Sequence, residues 1–325
     1  MSEPRVIHTA QALVDEVIEL PGLPSRGGNA VVTSRTRYAA SAVNVLLAAA
    51  RSGARCVHAG GVGTGPNGDL VRDVLRGAGV RISSLPVPDV DTGICLVLLE
   101  PSAERTFITE QGAERMISVA SLATSAPVPG DVVCVSGYSL FGATKDPLLA
   151  WLEGLPDGVV VALDPGAPFA ELEQEDLKRC LALTSVWTGN ADEGDALARR
   201  AAGEPARGAA DGARAIAESA PKVATLLPEG AVVVVRDGPA GCVVHRDGVT
   251  TTHPGFPQKA VDTNGAGDTH TGVLVAEVAK GSSWADAVER ANAAGAIKVT
   301  RRGPDTAPSG NEIDAFLSTF DRLDS

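Results

Sequence analysis

Three small residues stand directly before a carboxylate in the stretch Asp262-Thr263-Asn264-Gly265-Ala266-Gly267-Asp268, and an apolar, helix-like pattern follows it. Backbone N–H groups at the start of a helix point outward and attract anions. Gly265 and Gly267 also let a ligand approach the backbone closely. This turn could therefore hold a phosphate oxygen and present Asp268 beside it. The alternative is a glycine turn in which Asp268 only caps the helix.

A second polar pair, Asn190 and Glu193, follows a predicted strand at residues 185–188. Asparagine at the N-cap with glutamate three residues later is typical of a capping box. The same glutamate could instead face the water shell of a metal ion. The local sequence leaves both interpretations open.

Two polar residues of the amino-terminal half interrupt apolar segments. Asp15 lies in a β-branched stretch at residues 6–20. Because buried strands rarely carry an acid for packing reasons, we expect Asp15 in an exposed turn at a strand end or in a pocket. Asn44 lies in a predicted helix of small residues at 39–50. A buried amide needs partners, so Asn44 should face either a ligand or a nearby loop.

A glycine-rich turn at Gly63, Gly65 and Gly68 matches G-x-G-x-x-G between a short predicted strand and a helix at 69–76. Acidic residues, including Asp91, follow about 20 positions on, as in a dinucleotide-binding fingerprint. The signal is weak in a chain with 36 glycines. A strand–turn–helix section also precedes it, whereas the fingerprint usually opens its domain. An NAD(P)-binding oxidoreductase is therefore kept as an alternative.

The overall composition limits the classes of function. The net charge of −12 disfavours nucleic acid as a partner, because that role needs a basic surface. The chain has 44% apolar residues but no uninterrupted apolar run of about 18, so we expect a substantial core and no membrane span. We expect no signal peptide either. Five scattered cysteines without C-x-x-C suggest a reducing cytoplasm.

Strands and helices alternate from residue 131 onward, which predicts an α/β fold with a mainly parallel sheet covered by helices on both faces. Ligands of such sheets lie at the carboxyl ends of the strands. The earlier part of the chain differs, with an exposed strand at 30–37 and a hairpin at 92–109.

An Ala/Gly-rich stretch at 203–212 is predicted to be a surface connection. The histidines show no metal-ligand spacing, and His270 is predicted to lie on a helix surface.

Together these residues resemble the ribokinase-like (PfkB) family of carbohydrate kinases, over about residues 6–308. The stretch 262–268 is similar to the family signature D-T-x-G-A-G-D at every specified position. Asn190 to Glu193 resembles its N-x-x-E metal-water motif. The turn from Arg236 through Gly238 to Gly241 resembles its second nucleotide loop. Asn292, with residues 293–303, resembles its adenine-side segment.

In the amino-terminal half, Asp15 matches the acid that binds substrate hydroxyls in the family, and Asn44 matches the asparagine of the G-G-x-x-x-N sugar motif. Several positions depart from the family pattern: Ala39 and Ala40 replace the glycine pair, Gly65 replaces an aspartate, Arg236 replaces a threonine, and Thr269-His270 replaces Ala-Phe. The backbone at Ala40 is still expected to border the substrate. These departures imply an unusual substrate.

The resemblance implies a three-layer αβα sandwich, with residues 1–325 as one domain and a small β-sheet lid from about 12–37 and 92–110. It implies transfer of the γ-phosphoryl group of ATP to a hydroxymethyl group, with Asp268 as general base and Gly265, Ala266 and Gly267 as the anion hole. Mg²⁺ would be held through water by Asn190 and Glu193. The carbonyls of Asp262 and Asn264 resemble those that line a monovalent-cation (K⁺) site in many relatives. Such lids often pair in homodimers.

Three rival functions remain. A nucleoside kinase of the same family is the nearest alternative, because the acceptor depends on lid contacts that spacing does not reveal. The NAD(P)-binding oxidoreductase is an alternative of another class. A non-catalytic sugar-binding protein is a third, but it would not need both Asp268 and the Asn190/Glu193 pair.

Overall fold

A computed structural model describes residues 3–102, 104–204 and 212–321. The strands in these residues are β1 (Arg5–His8), β2 (Ala12–Glu19), β3 (Ser34–Ser41), β4 (Arg55–His58), β5 (Arg81–Ile82), β6 (Ile94–Leu99), β7 (Arg105–Glu110), β8 (Val132–Ser136), β9 (Val160–Asp164), β10 (Val186–Asn190), β11 (Val232–Arg236), β12 (Gly241–Arg246) and β13 (Val249–Pro254). The helices are α1 (Ala42–Arg51), α2 (Pro66–Gly77), α3 (Val119–Ala123), α4 (Lys145–Glu153), α5 (Gln174–Ala182), α6 (Ala191–Ala202), α7 (Gly212–Ala224), α8 (Ala266–Lys280), α9 (Trp284–Val299) and α10 (Gly310–Asp321).

The large sheet has the strand order β13-β12-β11-β10-β9-β8-β1-β4-β5. It is parallel from β11 to β5, and β12 and β13 continue it in antiparallel pairing. The mainly parallel α/β sheet predicted from the sequence is therefore confirmed. In parallel sheets the carboxyl ends of the strands share one edge, which is where ligands bind.

Helices cover both faces of this sheet because its strands are apolar on both sides. Along β8, Val133 and Val135 pack into the core on one face, whereas Val132 and Cys134 pack into the core on the other. The first core holds side chains of α3 to α7, and the second face is covered by α1, α2 and α8 to α10. The result is the three-layer αβα arrangement that the family resemblance implied.

A separate small sheet has the order β3-β2-β6-β7. It contains the strands at 92–110 and part of the segment at 12–37 that were predicted to form it. The pairing of β2 with β6 is parallel, and the two outer pairings are antiparallel. This sheet accounts for the different character of the amino-terminal half of the sequence.

The boundary between β3 and α1 differs from the prediction. The helix expected at 39–50 begins only at Ala42, and β3 runs from Ser34 through Ala39 and Ala40. Both alanines pair with β2, opposite Val14 and Leu13. Pairing with β2 therefore overrides the helix preference of alanine, which is strong among residues but small in energy beside tertiary contacts.

Two further predictions concern particular segments. The connection expected at 203–212 falls mostly outside the described residues. Within the described residues, we find no helix with the length and apolar character needed to cross a membrane.

Helices α1 and α8 pack closely through Gly272. A Cβ at this position would overlap the Val45 carbonyl oxygen and lie 2.7 Å from the Ala48 side chain. Glycine is costly inside a helix, so its presence in α8 indicates that the two backbones must approach.

We therefore expect Gly272→Ala to lower the free energy of unfolding by about 1–3 kcal/mol, because the helices must move apart. Gly77→Ala in α2 is the matched control, since a Cβ there meets nothing within 4 Å. The control should be neutral or raise stability by up to about 1 kcal/mol. Urea unfolding of both variants measures the difference, and equal stability of the two would contradict this account of the packing.

Candidate active site

Three polar side chains meet where neighbouring strands of the large sheet end. Asp164 ends β9, Asn190 ends β10 and Arg236 ends β11, with Asn190 directly opposite Arg236 in the strand pairing. The Arg236 guanidinium donates from Nη1 to the Gly267 carbonyl at 2.8 Å and to Thr271 Oγ1 at 2.9 Å. Its Nη2 lies 3.4 Å from Asp164 Oδ2. Arg236 therefore ties the sheet edge to the first turns of α8.

The signature stretch forms the N-terminus of α8. Gly265 has φ 75°, and a Cβ on it would lie 2.8 Å from the Pro304 carbonyl oxygen, so this position needs glycine. The helix begins at Ala266, whose amide donates to the Thr263 carbonyl at 3.2 Å. Amides in a first turn have no acceptor within their own helix and carry the positive end of its dipole. The turn can therefore receive an anion.

Asp268 lies half-buried in this first turn and accepts a hydrogen bond at Oδ2 from Asn44 Nδ2 at 2.9 Å. Burial raises the pKa of Asp268 to about 6, and Asp164 adds to the rise; the Asn44 hydrogen bond and the charges of Arg236 and Lys298 oppose it. Among the described residues, Asn44 Oδ1 is buried without a hydrogen-bond partner. A ligand hydroxyl is the kind of donor that would satisfy it.

Asp15 comes to the same region from the small sheet. It lies within β2, opposite Tyr38 on one neighbouring strand and Cys95 on the other, and not in a turn. Burial raises the pKa of Asp15 to about 7, with a smaller contribution from the negative charge of Asp268. Alternation along β2 places Asp15 on the same face as Val17. Val17 lines a cavity of about 630 Å³ between the small sheet and the signature stretch.

The Ala40 side chain is buried and is not exposed in this cavity. It is 1% exposed and packs with Leu13, Cys95 and Val97 in the small core of the β2–β3–β6 sheet. The alanines that replace the family's glycine pair therefore belong to the packing of the small sheet. A substrate-binding role of the Ala40 backbone stays a prediction.

Asn190 and Glu193 form a capping box at the start of α6. The Glu193 amide donates to Asn190 Oδ1 at 2.9 Å, and the Asn190 amide donates to a Glu193 carboxylate oxygen at 2.8 Å. Burial raises the pKa of Glu193 to about 6, with Asp164 as the next contribution. Glu193 Oε1 is not used by the capping box, so a metal-water role remains compatible with the cap.

The five residues predicted to contact the nucleotide line one cavity of about 400 Å³: Asn190, Arg236, Gly238, Gly241 and Asn292. Ala266 and Gly267 also line it, so the cavity runs up to the N-terminus of α8. Its walls are largely apolar, with polar groups at the end near the sheet edge. This is the composition expected of a site for a purine with phosphates.

His270 was wrongly predicted to lie on a helix surface. It is 6% exposed, lines the same cavity, and its Nε2 lies 3.1 Å from Asn292 Oδ1. Burial lowers the pKa of His270 to about 3, helped by the charge of Arg236, so the imidazole is neutral. The prediction failed because α8 is covered on nearly all sides, which its own sequence pattern does not reveal.

The glycine fingerprint at 63–68 is occupied by the protein itself. The Asp91 carboxylate accepts hydrogen bonds from the amides of Asn67 at 3.1 Å and Gly68 at 2.9 Å, at the N-terminus of α2. A Cβ on Gly68 would overlap the Gly63 carbonyl. The glycines therefore serve close packing, and Asp91 fills the position that a cofactor phosphate would need.

Hydrogen bonds fix both the carboxylate and the carbonyl oxygen of Asp262. Its carboxylate accepts from the amides of Asn264 at 2.9 Å and Gly303 at 3.0 Å, and from Arg105 of β7 at 2.9 Å. Burial opposes ionisation, but the two amide hydrogen bonds hold the pKa of Asp262 below its usual value. Its carbonyl oxygen accepts a hydrogen bond from Lys298 Nζ at 2.9 Å.

Sequence reasoning assigned no role to Lys298, Arg105 or Thr271. For Lys298 there was a signal: it falls on the apolar face of α9. Arg105 and Thr271 gave no signal, because their partners Asp262 and Asp164 lie far away in the chain.

Comparisons with known proteins agree with this arrangement. The model of the family described as "pfkB family carbohydrate kinase" matches residues 12–310. The uncharacterized sugar kinase YegV of Escherichia coli (strain K12) is 30% identical over 309 residues, covering 95% of this chain and 92% of the relative. The ATP-dependent ribose-1-phosphate kinase of Halopiger xanaduensis is 27% identical over 97% of this chain and 98% of its own.

A solved structure shows the same fold. The ribokinase of Cryptococcus neoformans var. grubii serotype A, in complex with ADP, superposes with a TM-score of 0.80 at 21% identity, covering 97% of this chain and 99% of that chain. The family match spans most of the chain and includes both the small sheet and the signature turn at α8. The chain therefore belongs to the pfkB family of carbohydrate kinases, and its activity is that of a carbohydrate kinase, a phosphotransferase.

Proposed function

We propose that this kinase transfers the γ-phosphoryl group of ATP to a hydroxymethyl group of a small carbohydrate at Asp268, with the chain acting as one catalytic domain. The observation that carries the proposal is the position of Asp268. Its carboxylate stands at the N-terminus of α8, where it is hydrogen-bonded to Asn44 and directly follows Gly267, which lines the cavity of the predicted nucleotide residues. In-line transfer between two bound substrates needs a carboxylate that is next to the nucleotide and is also held in a fixed orientation toward the acceptor.

Asp268 acts as the general base. The acceptor hydroxyl oxygen attacks the γ-phosphorus, the bond to the β–γ bridging oxygen breaks, and Asp268 takes the hydroxyl proton. With a pKa of about 6, this carboxylate is a weak base for an alcohol. It therefore mainly orients the hydroxyl and captures its proton late, as the aspartate of other kinases does. Asn44 fixes one carboxylate oxygen and leaves the other for the substrate.

The N-terminal turn of α8 acts as the anion hole. The amides of Gly265 and Gly267, together with the helix dipole, stabilise the charge that develops on the transferred phosphoryl oxygens, and the Ala266 amide would join them by leaving the Thr263 carbonyl. Arg236, which donates to the Gly267 carbonyl, adds a fixed positive charge beside them. This arrangement needs no field of surface lysines, so it suits a protein with a net charge of −12.

The acidic groups at the sheet edge suit Mg²⁺ bound through water. Across residues 3–102, 104–204 and 212–321, no group of three His, Cys, Asp or Glu side chains is placed to hold a metal directly. Glu193 and Asn190, with Asp164 beside them, would therefore orient its water ligands, while the triphosphate supplies others. When bound, Mg²⁺ offsets the triphosphate charge.

Asp15 and Asn44 bind the acceptor hydroxyls. Asp15 accepts from hydroxyl groups, and Asn44 Oδ1 accepts from one more, which satisfies its buried oxygen. A nucleoside acceptor is the second candidate, because the cavity of about 630 Å³ that Val17 lines, on the same strand face as Asp15, offers space for a group larger than one monosaccharide. A non-catalytic sugar-binding role would leave the nucleotide cavity and Asp268 without a purpose.

The small sheet acts as a lid over the acceptor and excludes water from the phosphoryl group. A homodimer through this lid is supported by two apolar side chains on β7, Phe107 at 60% and Ile108 at 55% exposed.

A cytoplasmic location is supported by five cysteines that are all free and buried.

Replacing Asp268 tests the proposed base. A coupled ADP-release screen over ketoses, aldoses, sugar acids and nucleosides first identifies the acceptor. With that acceptor, Asp268→Asn should lower kcat by about 10²- to 10⁴-fold, because the amide cannot accept the proton. Asp73→Asn, an exposed acid of α2, is the control and should keep full activity. Near-normal phosphoryl transfer by Asp268→Asn would reject the assignment.

The raised pKa values predict how activity depends on pH. Asp268 and Asp15 work as carboxylates, and burial raises their pKa to about 6 and about 7. Activity is therefore lost as pH falls through these values, well above the range of an ordinary aspartate. We expect kcat/KM to fall by about tenfold per pH unit for each protonation, and Asp15→Asn to remove the upper inflection. A kcat/KM that is flat from about pH 8 to about pH 5 would contradict this.

Glu193 can be tested apart from its capping role. Glutamine keeps the acceptor of a capping box but loses the charge. Glu193→Gln should therefore leave thermal stability nearly unchanged and raise the Mg²⁺ concentration that gives half-maximal activity. Glu193→Ala should raise the Mg²⁺ requirement as well, and it should also lower the free energy of unfolding by about 1 kcal/mol because the cap is lost. An unchanged Mg²⁺ titration in Glu193→Gln would leave capping as its only function.

A further inference from the structure

Lys298 is a buried cation beneath the signature stretch. It lies near the end of α9, is 0% exposed, and is among the largest fully buried side chains of the described residues. Its Nζ donates to the Asp262 carbonyl at 2.9 Å. A buried ammonium is costly unless it is paired, so a lysine at this position needs a reason beyond packing.

The end of α9 around Lys298 is hydrogen-bonded to the start of the signature stretch. The next residue along α9, Val299, accepts hydrogen bonds at its carbonyl from the amides of Val261 at 2.7 Å and Asp262 at 3.1 Å. Three hydrogen bonds therefore fasten the start of the signature stretch to the end of α9. Burial lowers the pKa of Lys298 and the charge of Arg105 adds to this lowering, whereas the negative charges of Asp262 and Asp268 oppose it.

These residues do not fit the monovalent-cation site that the family resemblance implied at Asp262 and Asn264. The Asp262 carbonyl, one of the expected cation ligands, already faces an ammonium. Both oxygens of the Asp262 carboxylate accept hydrogen bonds, from the amides of Asn264 and Gly303 and from Arg105. A K⁺ ion at this carbonyl would stand beside a like charge and compete with its hydrogen bond.

We infer that the Lys298 ammonium replaces the monovalent cation, so that the signature turn is held in place, and phosphoryl transfer proceeds, without K⁺. Lys298 is a positioning residue, because it acts on the anion hole through the Asp262 backbone. Because the ammonium is part of the chain, it is present at every turnover. It attracts the Asp262 carbonyl oxygen in the way that a bound cation would. The inference rests on the proposed function for its kinetic part only.

The first test uses the wild-type protein. ADP release with the identified acceptor and thermal melting are both measured in KCl, NaCl and tetramethylammonium chloride at equal ionic strength. We expect rates within about twofold and melting temperatures that do not depend on the cation. Activation or stabilisation by K⁺ of tenfold or of several degrees, relative to tetramethylammonium, would overturn the inference.

The second test removes the charge. Lys298→Ala should lower kcat by about ten- to a hundredfold with little change in the KM for the acceptor, and K⁺ or NH₄⁺ should restore part of kcat and raise the melting temperature. Ile297→Ala, which removes a buried apolar side chain from the same helix, is the control. It should lose stability without gaining any response to K⁺. A Lys298→Ala variant that is fully active and indifferent to K⁺ would overturn the inference.

The two kinds of failure can be told apart. If no acceptor supports ADP release in any salt, the proposed function fails, and the melting comparison still decides whether K⁺ binds. If Lys298→Ala does not fold, the wild-type comparison across the three salts decides on its own.

Discussion

The close packing of α1 against α8 decides where the proposed catalytic carboxylate lies. Asp268 and Gly272 are one helical turn apart and face α1, where Asn44 and Ala48 are also one turn apart. Gly272 admits the α1 backbone opposite Ala48, and one turn earlier Asn44 reaches Asp268 at 2.9 Å. A larger residue at 272 would separate the helices and loosen the pair. The orientation of the proposed base therefore depends on a glycine whose role is to pack against α1.

Local positive charges explain how an acidic protein can handle a triphosphate. Arg236 faces the first turn of α8 from the sheet edge, Lys298 lies beneath the signature stretch, and Arg105 reaches it from the small sheet. Each of these cations donates to an atom of the protein, so its position is fixed before any ligand arrives. Preorganised charge of this kind stabilises a transition state at little cost in reorganisation. These three fixed cations therefore offset part of the negative charge of the acidic side chains around them, in a protein with a net charge of −12.

Sequence could predict those parts of the site that depend on neighbours along the chain. The signature turn and the capping box of Asn190 and Glu193 are local patterns, and the alternation of strands and helices predicted the large sheet. Sequence could not predict what depends on residues far apart. Whether His270 is exposed is decided by the elements packed around α8, and the partner of Lys298 lies 36 positions away. The start of α1 was also misplaced, because pairing with β2 extends β3 through the alanines.

The ion pair between Arg105 and Asp262 links the small sheet to the signature stretch before α8. Any movement that lifts β7 from the signature stretch must separate these charges, whose nitrogen and oxygen lie 2.9 Å apart. Both side chains are partly exposed, so dissolved salt weakens their attraction. Under the proposed lid role, opening of the small sheet would therefore depend on ionic strength. Where release of product limits such a cycle, added salt would shorten the time for which the proposed lid encloses the product.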